Sequence, residues 1–173
     1  DGNAYLGAGV SVKDNSTFNM YGGTISGNKA SDPNTIYGEG GGVYVENSTF
    51  LMTGGEIKDN SASDIGGGVY VKNSTFTMTG GSIEGCTAAN GSALCLYGTM
   101  NAGGGTVSGT VVLDTKTNNG ISSKGIIQGS GSTATRFSSA VTSYGEIGHG
   151  IFSGTVTLGN STLSGTISGG IFN

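Results

Sequence analysis

Apolar and polar residues alternate in short runs along this chain. The run VYV at 43–45 is followed by FLM at 50–52, and then by a single Ile57 between two charged residues. A period of two predicts β-strands, and the Asn-Ser and Gly-Gly pairs between the runs predict tight corners. Because no stretch shows the i, i+3, i+4, i+7 spacing of an amphipathic helix, the pattern predicts an all-β chain.

The alternating pattern is copied along the sequence. Residues 40–62 and 66–88 are nearly identical and start 26 positions apart, residues 8–30 are a looser copy, and a shorter repeat starts at Gly150. Repeats of this length stack to build a shared core, which here would be ladders of Val, Phe, Met and Ile. With three short strands per unit and glycine at the bends, we expect a right-handed parallel β-helix of about seven coils, each of roughly 20–26 residues. A β-sandwich is the alternative, although it would not require such close identity between units.

The alternation also predicts which side chains face outward. If Val43, Val45, Phe50, Met52 and Ile57 point inward, then the residues between them point outward. Stacking the units then pairs three sets of outward residues: Tyr44 with Tyr70, Glu46 with Lys72, and Lys58 with Glu84. Such pairs stabilise the register of neighbouring strands. Tyr44 and Tyr70 are also candidates for a stripe that binds a sugar or a protein.

Two stretches break the copied pattern. The insertion at 31–37 contains Asp32, Asn34 and Tyr37 together with the only proline. Extra residues in stacked repeats form surface loops, so these three are candidate binding residues, and the alternative is a tolerated surface bulge. The stretch 115–143 is the least regular, and its predicted inward residues are Ile121, Ile126, Ile127 and Phe137.

Cys86 and Cys95 lie on either side of a turn-like segment, ANGS at 89–92. They are interpreted either as a disulfide that clamps one loop or as two separate thiols at repeat positions. Cys86 also stands where the two preceding units have Asn28 and Asn60. Stacked asparagines at a turn satisfy backbone groups along the stack, and Cys86 would end that ladder.

Composition limits the function classes. The chain has 173 residues, 36 glycines and a net charge of −4 without a basic cluster, which argues against a nucleic-acid partner. No apolar run is long enough for a membrane-spanning helix, so we expect no membrane insertion of this segment. One histidine and two cysteines are too few for a zinc site, and we expect neither a metal nor a cofactor. Both ends resemble internal parts of a repeat, so we expect residues 1–173 to be a single β-helix segment of a longer protein.

The fold predicted here also occurs in carbohydrate-cleaving enzymes. Gly148-His149-Gly150 resembles an element of polygalacturonase-type glycosidases, but the paired aspartates of such sites are missing from the sequence. Arg136 is the only arginine and has no acidic residues close to it in sequence. We therefore expect no catalytic residues. Ice binding is a further alternative, because a threonine column would stack at Thr17, Thr49, Thr75 and Thr99. The column beside it contains only one threonine, since it consists of Asn19, Leu51, Thr77 and Asn101, and this argues against ice binding.

The string GGGVYV-NSTF-M-GG-I-N-A resembles the repeat of right-handed β-helix, pectin-lyase-like surface proteins of bacteria, in the style of polymorphic outer-membrane and autotransporter passengers. The segment 150–172 resembles repeats of large cell-wall proteins of gut Gram-positive bacteria. These resemblances imply secretion or cell-surface display and a role in attachment. The leading hypothesis is a non-enzymatic adhesin segment that binds a host protein, such as an immunoglobulin or another glycoprotein, or a glycan. The alternatives are a polysaccharide lyase or glycosidase and a passive stalk.

Overall fold

The computed structural model describes residues 3–32, 37–113, 115–118, 121–124, 126–128, 135–138, 141–143, 146–158, 166–167 and 171–172. Within these ranges every regular element is a β-strand, which confirms the all-β prediction. The strands are β1 (Asn3–Ala4), β2 (Val10–Val12), β3 (Thr17–Met20), β4 (Thr24–Ser26), β5 (Lys29–Ala30), β6 (Val43–Glu46), β7 (Thr49–Met52), β8 (Glu56–Lys58), β9 (Ser61–Ala62), β10 (Val69–Glu84), β11 (Leu94–Val107), β12 (Val111–Leu113), β13 (Thr115–Asn118), β14 (Ile121–Lys124), β15 (Ile126–Gln128), β16 (Arg136–Phe137), β17 (Val141–Ser143), β18 (Glu146–Ile147), β19 (Ile151–Phe152), β20 (Val156–Leu158), β21 (Thr166–Ile167) and β22 (Ile171–Phe172).

Most of these strands belong to three parallel ladders. The first ladder runs β2, β6, β10, β11, β12, β17 and β20. The second runs β3, β7, β10, β11, β15, β18 and β21, and the third runs β4, β8, β10, β11, β16, β19 and β22. The chain passes through the first, second and third ladders in that order and then returns to the first. Because β10 and β11 extend through all three, they join the ladders into one sheet.

The main core lies on the inner side of the three ladders. Val43, Phe50 and Ile57 are fully buried, as are their counterparts in β10, so the predicted inward positions are confirmed. The rings of Phe50 and Phe76 are stacked, with 4.8 Å between their centroids. The predicted stacking of like residues is therefore correct for the copied units.

The stacked phenylalanines lie in a different ladder toward the C-terminus. Phe18, Phe50 and Phe76 stack in the second ladder, whereas Phe137 and Phe152 stack in the third at 5.0 Å. β11 lies between the two stacks and has no aromatic residue at either inward position, with Met100 in the second ladder and Val107 in the third. The moved aromatic stack keeps the core filled where the sequence repeat changes.

The prediction of three strands per unit is incomplete. A fourth, short ladder joins β1, β5 and β9, because the chain between the third ladder and the next unit is extended and pairs with its neighbours. Its inward residues include Ala30, which is fully buried. The irregular stretch contains an antiparallel pair, β13 with β14, that the sequence pattern does not predict. Ile127 and Phe137 are buried as predicted, whereas the side chains of Ile121 and Ile126 lie outside the described set.

The Asn-Ser corners between the first and second ladders carry their own hydrogen bonds. Asn47 and Asn73 both have φ of 48°, in the left-handed region that asparagine tolerates better than most residues. The backbone N–H of Ser48 donates to Oγ of Ser74 at 3.0 Å, and that of Ser16 donates to Oγ of Ser48 at 3.1 Å. Each serine thus satisfies the corner of the preceding unit, which explains why this part of the repeat is copied.

Candidate functional site

Tyr44 and Tyr70 stack as predicted, but they are not exposed. Their ring centroids are 5.5 Å apart, and only 1% and 4% of their surfaces are exposed. With Ile65, Cys95 and Tyr97 they form a second hydrophobic cluster on the outer side of the first ladder, here called the outer tyrosine cluster. Burial raises the pKa of both hydroxyls far above the usual range of tyrosine. The expectation of an exposed tyrosine stripe is therefore wrong.

The cover over this cluster comes from the segments that connect one unit to the next. An isolated row of parallel bridges links Leu6, Glu39, Ile65 and Asn90, and Leu6 and Ile65 pack against the tyrosines. Each segment then turns sharply at a glycine with positive φ, 65° at Gly40 and 64° at Gly66. Alternation along the strand predicts that Tyr44 points outward, but it carries no information about a segment folded over it.

Charged side chains border the other side of the cluster. Nζ of Lys72 lies 2.7 Å from Oε1 of Glu46, which confirms the predicted pair, and Nζ of Lys13 lies 5.1 Å from the centroid of the Tyr44 ring. Partial burial acts to raise the pKa of Glu46, but hydrogen bonds from Lys72 and Tyr44 outweigh it and lower that pKa. The arrangement holds Tyr44 in place and keeps Glu46 ionised.

The predicted pair of Lys58 with Glu84 takes a different form. The two residues are register partners in adjacent strands, yet Nζ of Lys58 lies 2.6 Å from Oε2 of Glu56 in its own strand. Glu56 and Lys58 are i, i+2 neighbours, so their side chains lie on the same side of β8 and can meet along the strand.

Cys86 and Cys95 are both buried thiols, so the disulfide interpretation is wrong. Cys86 belongs to the main core, whereas Cys95 belongs to the outer tyrosine cluster. Because the two sulfurs lie on opposite sides of the sheet, they cannot reach the short separation that a disulfide needs.

Cys86 continues the asparagine ladder with weaker contacts. Nδ2 of Asn60 donates to the carbonyl oxygen of Ile25 at 2.9 Å, and Sγ of Cys86 makes the equivalent contact with Ile57 at 3.8 Å. Oδ1 of Asn60 accepts the backbone N–H of Asn28 at 3.0 Å. Burial raises the pKa of the Cys86 thiol, so it stays neutral in this position.

Replacing Cys86 with asparagine is expected to raise the free energy of unfolding by about 1 kcal/mol, because an amide makes stronger hydrogen bonds than a thiol. The space is adequate, since Gly68 faces Cys86 as Gly42 faces Asn60. Chemical denaturation measures the change, and Cys86→Ala is the control that removes the sulfur without adding an amide. Lower stability of Cys86→Asn than of Cys86→Ala would contradict this account of the ladder.

The insertion that interrupts the repeat contains an exposed aromatic residue. Tyr37 is 57% exposed, Asp32 is half-buried, and Asn34 lies outside the described residues. Tyr5, which the sequence analysis did not single out, is also 57% exposed, and its carbonyl oxygen accepts the backbone N–H of Glu39 at 2.8 Å. Tyr5 and Tyr37 thus lie on neighbouring connecting segments, and they are together called the tyrosine edge.

The tyrosine edge rests on a tightly packed backbone. The carbonyl oxygen of Gly38 accepts the backbone N–H groups of Asp64 and Ile65, each at 3.1 Å. A side chain at Gly38 would collide with the carbonyl oxygen of Ala30 and with Oγ of Ser63. The backbone after the insertion is therefore held in a fixed position against the next unit, and Tyr37 belongs to this rigid segment.

The predicted threonine column is present on the outer side of the second ladder. Thr17, Thr49, Thr75 and Thr99 are register partners, and so are Asn19, Leu51, Thr77 and Asn101. Tyr21 follows β3 and is 71% exposed. Tyr21 is not among the binding residues predicted from the sequence, although alternation after the inward Met20 points it to this same surface.

The two residues considered for enzyme chemistry, Arg136 and His149, lie in or next to strands of the third ladder. His149 is half-buried just before β19, and Arg136 is exposed in β16, whose register partner is Ile151. Among the described residues no three histidine, cysteine, aspartate or glutamate side chains are grouped as they would be around a metal ion. The same residues include no helix long and apolar enough to cross a membrane.

Comparison of the chain with protein-family models, curated protein sequences and solved structures gives no match.

Proposed function

We propose that the chain is a right-handed parallel β-helix of about seven coils that serves as a non-enzymatic binding segment of a secreted or cell-surface bacterial protein. The fixed order in which the chain visits the three ladders supports the β-helix. Host proteins, including immunoglobulins and other glycoproteins, and host glycans are the proposed partners. A stack of rigid repeats suits this role because little conformational entropy is lost when its surface binds.

The single observation that carries the proposal is the tyrosine edge. Exposed tyrosines are well suited to contact proteins and sugars, because an apolar ring is combined with a polar hydroxyl. Tyr5 and Tyr37 are exposed in segments outside the copied units, whereas Tyr44 and Tyr70 of the copied units are covered. The segments outside the copied units therefore add a contact surface that the repeat itself does not provide.

Removing both rings of the tyrosine edge is expected to weaken binding by about tenfold or more, since aromatic residues dominate the energy of many interfaces. The wild-type chain and the double variant Tyr5→Ala/Tyr37→Ala would be tested against purified immunoglobulin, purified mucin and a glycan array. The control is Thr24→Ala/Thr106→Ala, two exposed threonines of the third ladder. Absence of any ligand for the wild type, or equal binding by all three proteins, would overturn the proposal.

The enzyme alternative has a separate test. Incubation with pectic and other plant or mucosal polysaccharides is expected to release no oligosaccharides. Release that is abolished by His149→Ala would assign a lyase or glycosidase activity instead. A passive stalk predicts an intact fold together with no ligand in any of the binding assays.

A further inference from the structure

The outer side of the second ladder carries no charged residue from β3 to β11, whereas β18, further along the ladder, places Glu146 in register with Ile126 of β15. The uncharged part is defined here as the threonine face, and its outward residues are Thr17, Asn19, Tyr21, Thr49, Leu51, Thr53, Thr75, Thr77, Thr79, Thr99, Asn101 and Gln128. None of these residues carries a charge, and most of them offer a hydroxyl or an amide. The face therefore presents hydrogen-bonding groups over four consecutive strands and the start of a fifth.

The other two ladders differ in this respect. The outward side of the first ladder carries Lys13, Glu46 and Lys72. The outward side of the third ladder carries Glu56 and Lys58. Charges that alternate between neighbouring strands stabilise the register there. On the threonine face the register is instead supported by neutral contacts, so the surface stays free of charges that a neutral ligand would have to desolvate.

Polar groups of the threonine face are already ordered relative to one another. Nδ2 of Asn101 donates to Oγ1 of Thr77 at 3.0 Å, and Nε2 of Gln128 donates to Oδ1 of Asn101 at 3.0 Å. Adjacent strands of a sheet are about 4.8 Å apart, so equivalent groups recur at that interval along the face. Ordered, evenly spaced donors and acceptors match a polymer whose own hydroxyl groups recur at a regular interval.

The face also offers apolar contact area. The ring of Tyr21 is 71% exposed, and Leu51 in the next strand is half-buried. Sugar rings combine hydroxyl groups with an apolar C–H surface, and an exposed tyrosine can contact that surface while its hydroxyl stays hydrated. Uncharged hydrogen-bonding groups beside an exposed aromatic ring fit a neutral sugar better than an anionic one.

We propose that the threonine face binds a neutral linear polysaccharide that lies across successive strands. This site is separate from the tyrosine edge and does not depend on it. Anionic polymers are disfavoured because none of the described residues that define the threonine face is a cation that could pair with a carboxylate or a sulfate. The proposal is about binding only and involves no cleavage.

Affinity gel electrophoresis in gels containing a neutral linear glucan or a neutral linear mannan tests this site, with polygalacturonate as the charged comparison. The wild-type chain is expected to be retarded by at least one neutral polymer and not by polygalacturonate. Thr77→Glu and Thr49→Lys place opposite charges on the face, and each is expected to weaken retardation about tenfold because a charge must be desolvated on binding. Thr106→Glu makes the same substitution on the third ladder beside Arg136 and is expected to bind like the wild type.

Four results would overturn the proposal. The first is retardation by none of the neutral polymers, and the second is equal loss in Thr77→Glu and Thr106→Glu. The third is a gain of binding to polygalacturonate in Thr49→Lys with no neutral binding in the wild type. Thermal hysteresis without retention by any polysaccharide would likewise overturn it and assign the face to ice. Binding to host glycoproteins is measured in a separate assay. The proposal for the tyrosine edge and the proposal for the threonine face can therefore be contradicted independently.

Discussion

Replacing Phe50 with alanine is expected to lower the free energy of unfolding by about 3–5 kcal/mol. Phe50 is fully buried, and its ring lies between those of Phe18, at 5.1 Å, and Phe76, at 4.8 Å. The cavity would therefore remove contacts on both sides of the ring, and the strands cannot move together because their backbone spacing is fixed by hydrogen bonds. Denaturant titration followed by circular dichroism measures the loss.

Thr49→Ala is the matched control for this prediction. Thr49 is the preceding residue in β7, but it is exposed on the opposite side of the strand. Its truncation is expected to change stability by about 0.5 kcal/mol or less. Similar effects of the two substitutions would contradict the assignment of Phe50 to the inner side of the second ladder.

Replacing Gly66 with alanine is expected to destabilise the chain by about 2–5 kcal/mol. Its φ of 64° costs an alanine roughly 1–2 kcal/mol, and forcing an extra methyl group into a packed site costs about 1–3 kcal/mol. A Cβ there would lie 2.7 Å from the carbonyl oxygen of Val69 and 2.8 Å from Cβ of Tyr70. The connecting segment would have to lift away from the outer tyrosine cluster, so Tyr70 should also become more accessible.

Gly22→Ala provides the control for the glycine prediction. An added Cβ at Gly22 meets nothing within 4 Å. Alanine there is expected to be neutral or to stabilise by about 0.4–1 kcal/mol, because it restricts the unfolded chain. Equal losses at Gly22 and Gly66 would show that the left-handed turn over Tyr70 is not what requires glycine.

Much of the ladder structure can be predicted from the sequence. The near-identity of 40–62 and 66–88 leaves one register in which Val43 meets Val69 and Phe50 meets Phe76, because a slip by one residue would turn the apolar side chains outward. The same reasoning correctly predicts the contact between Glu46 and Lys72. Where the copy is close, local alternation and stacking are sufficient.

The burial of Tyr44 and Tyr70 could not be predicted in the same way. Alternation assigns a side chain to one side of a strand, but it does not show whether another segment covers that side. The cover depends on Leu6 and Ile65, whose segments pair only through isolated bridges. The separation of the Cys86 and Cys95 thiols could not be predicted either, because their spacing along the chain does not reveal that the sheet lies between them.

The tyrosine edge and the threonine face were only partly visible in the sequence. The sequence predicts Tyr37 as a binding residue because an insertion breaks the repeat, whereas Tyr5 lies before the first copied unit and has no copied counterpart for comparison. The threonine column was identified, but its neutral character becomes meaningful only when the charged sides of the other two ladders are known. In each case the missing information is which segments come together in space.

Tyrosine nitration of the folded wild-type chain, followed by mass spectrometry of its peptides, tests most directly the claim that the tyrosines of the copied units are covered and that those outside them are exposed. Tyr5, Tyr21 and Tyr37 are expected to be nitrated, because each is more than half exposed. Tyr44, Tyr70 and Tyr97 are expected to stay unmodified until denaturant is added. Rapid nitration of Tyr44 and Tyr70 under native conditions would contradict the account and restore the exposed tyrosine stripe.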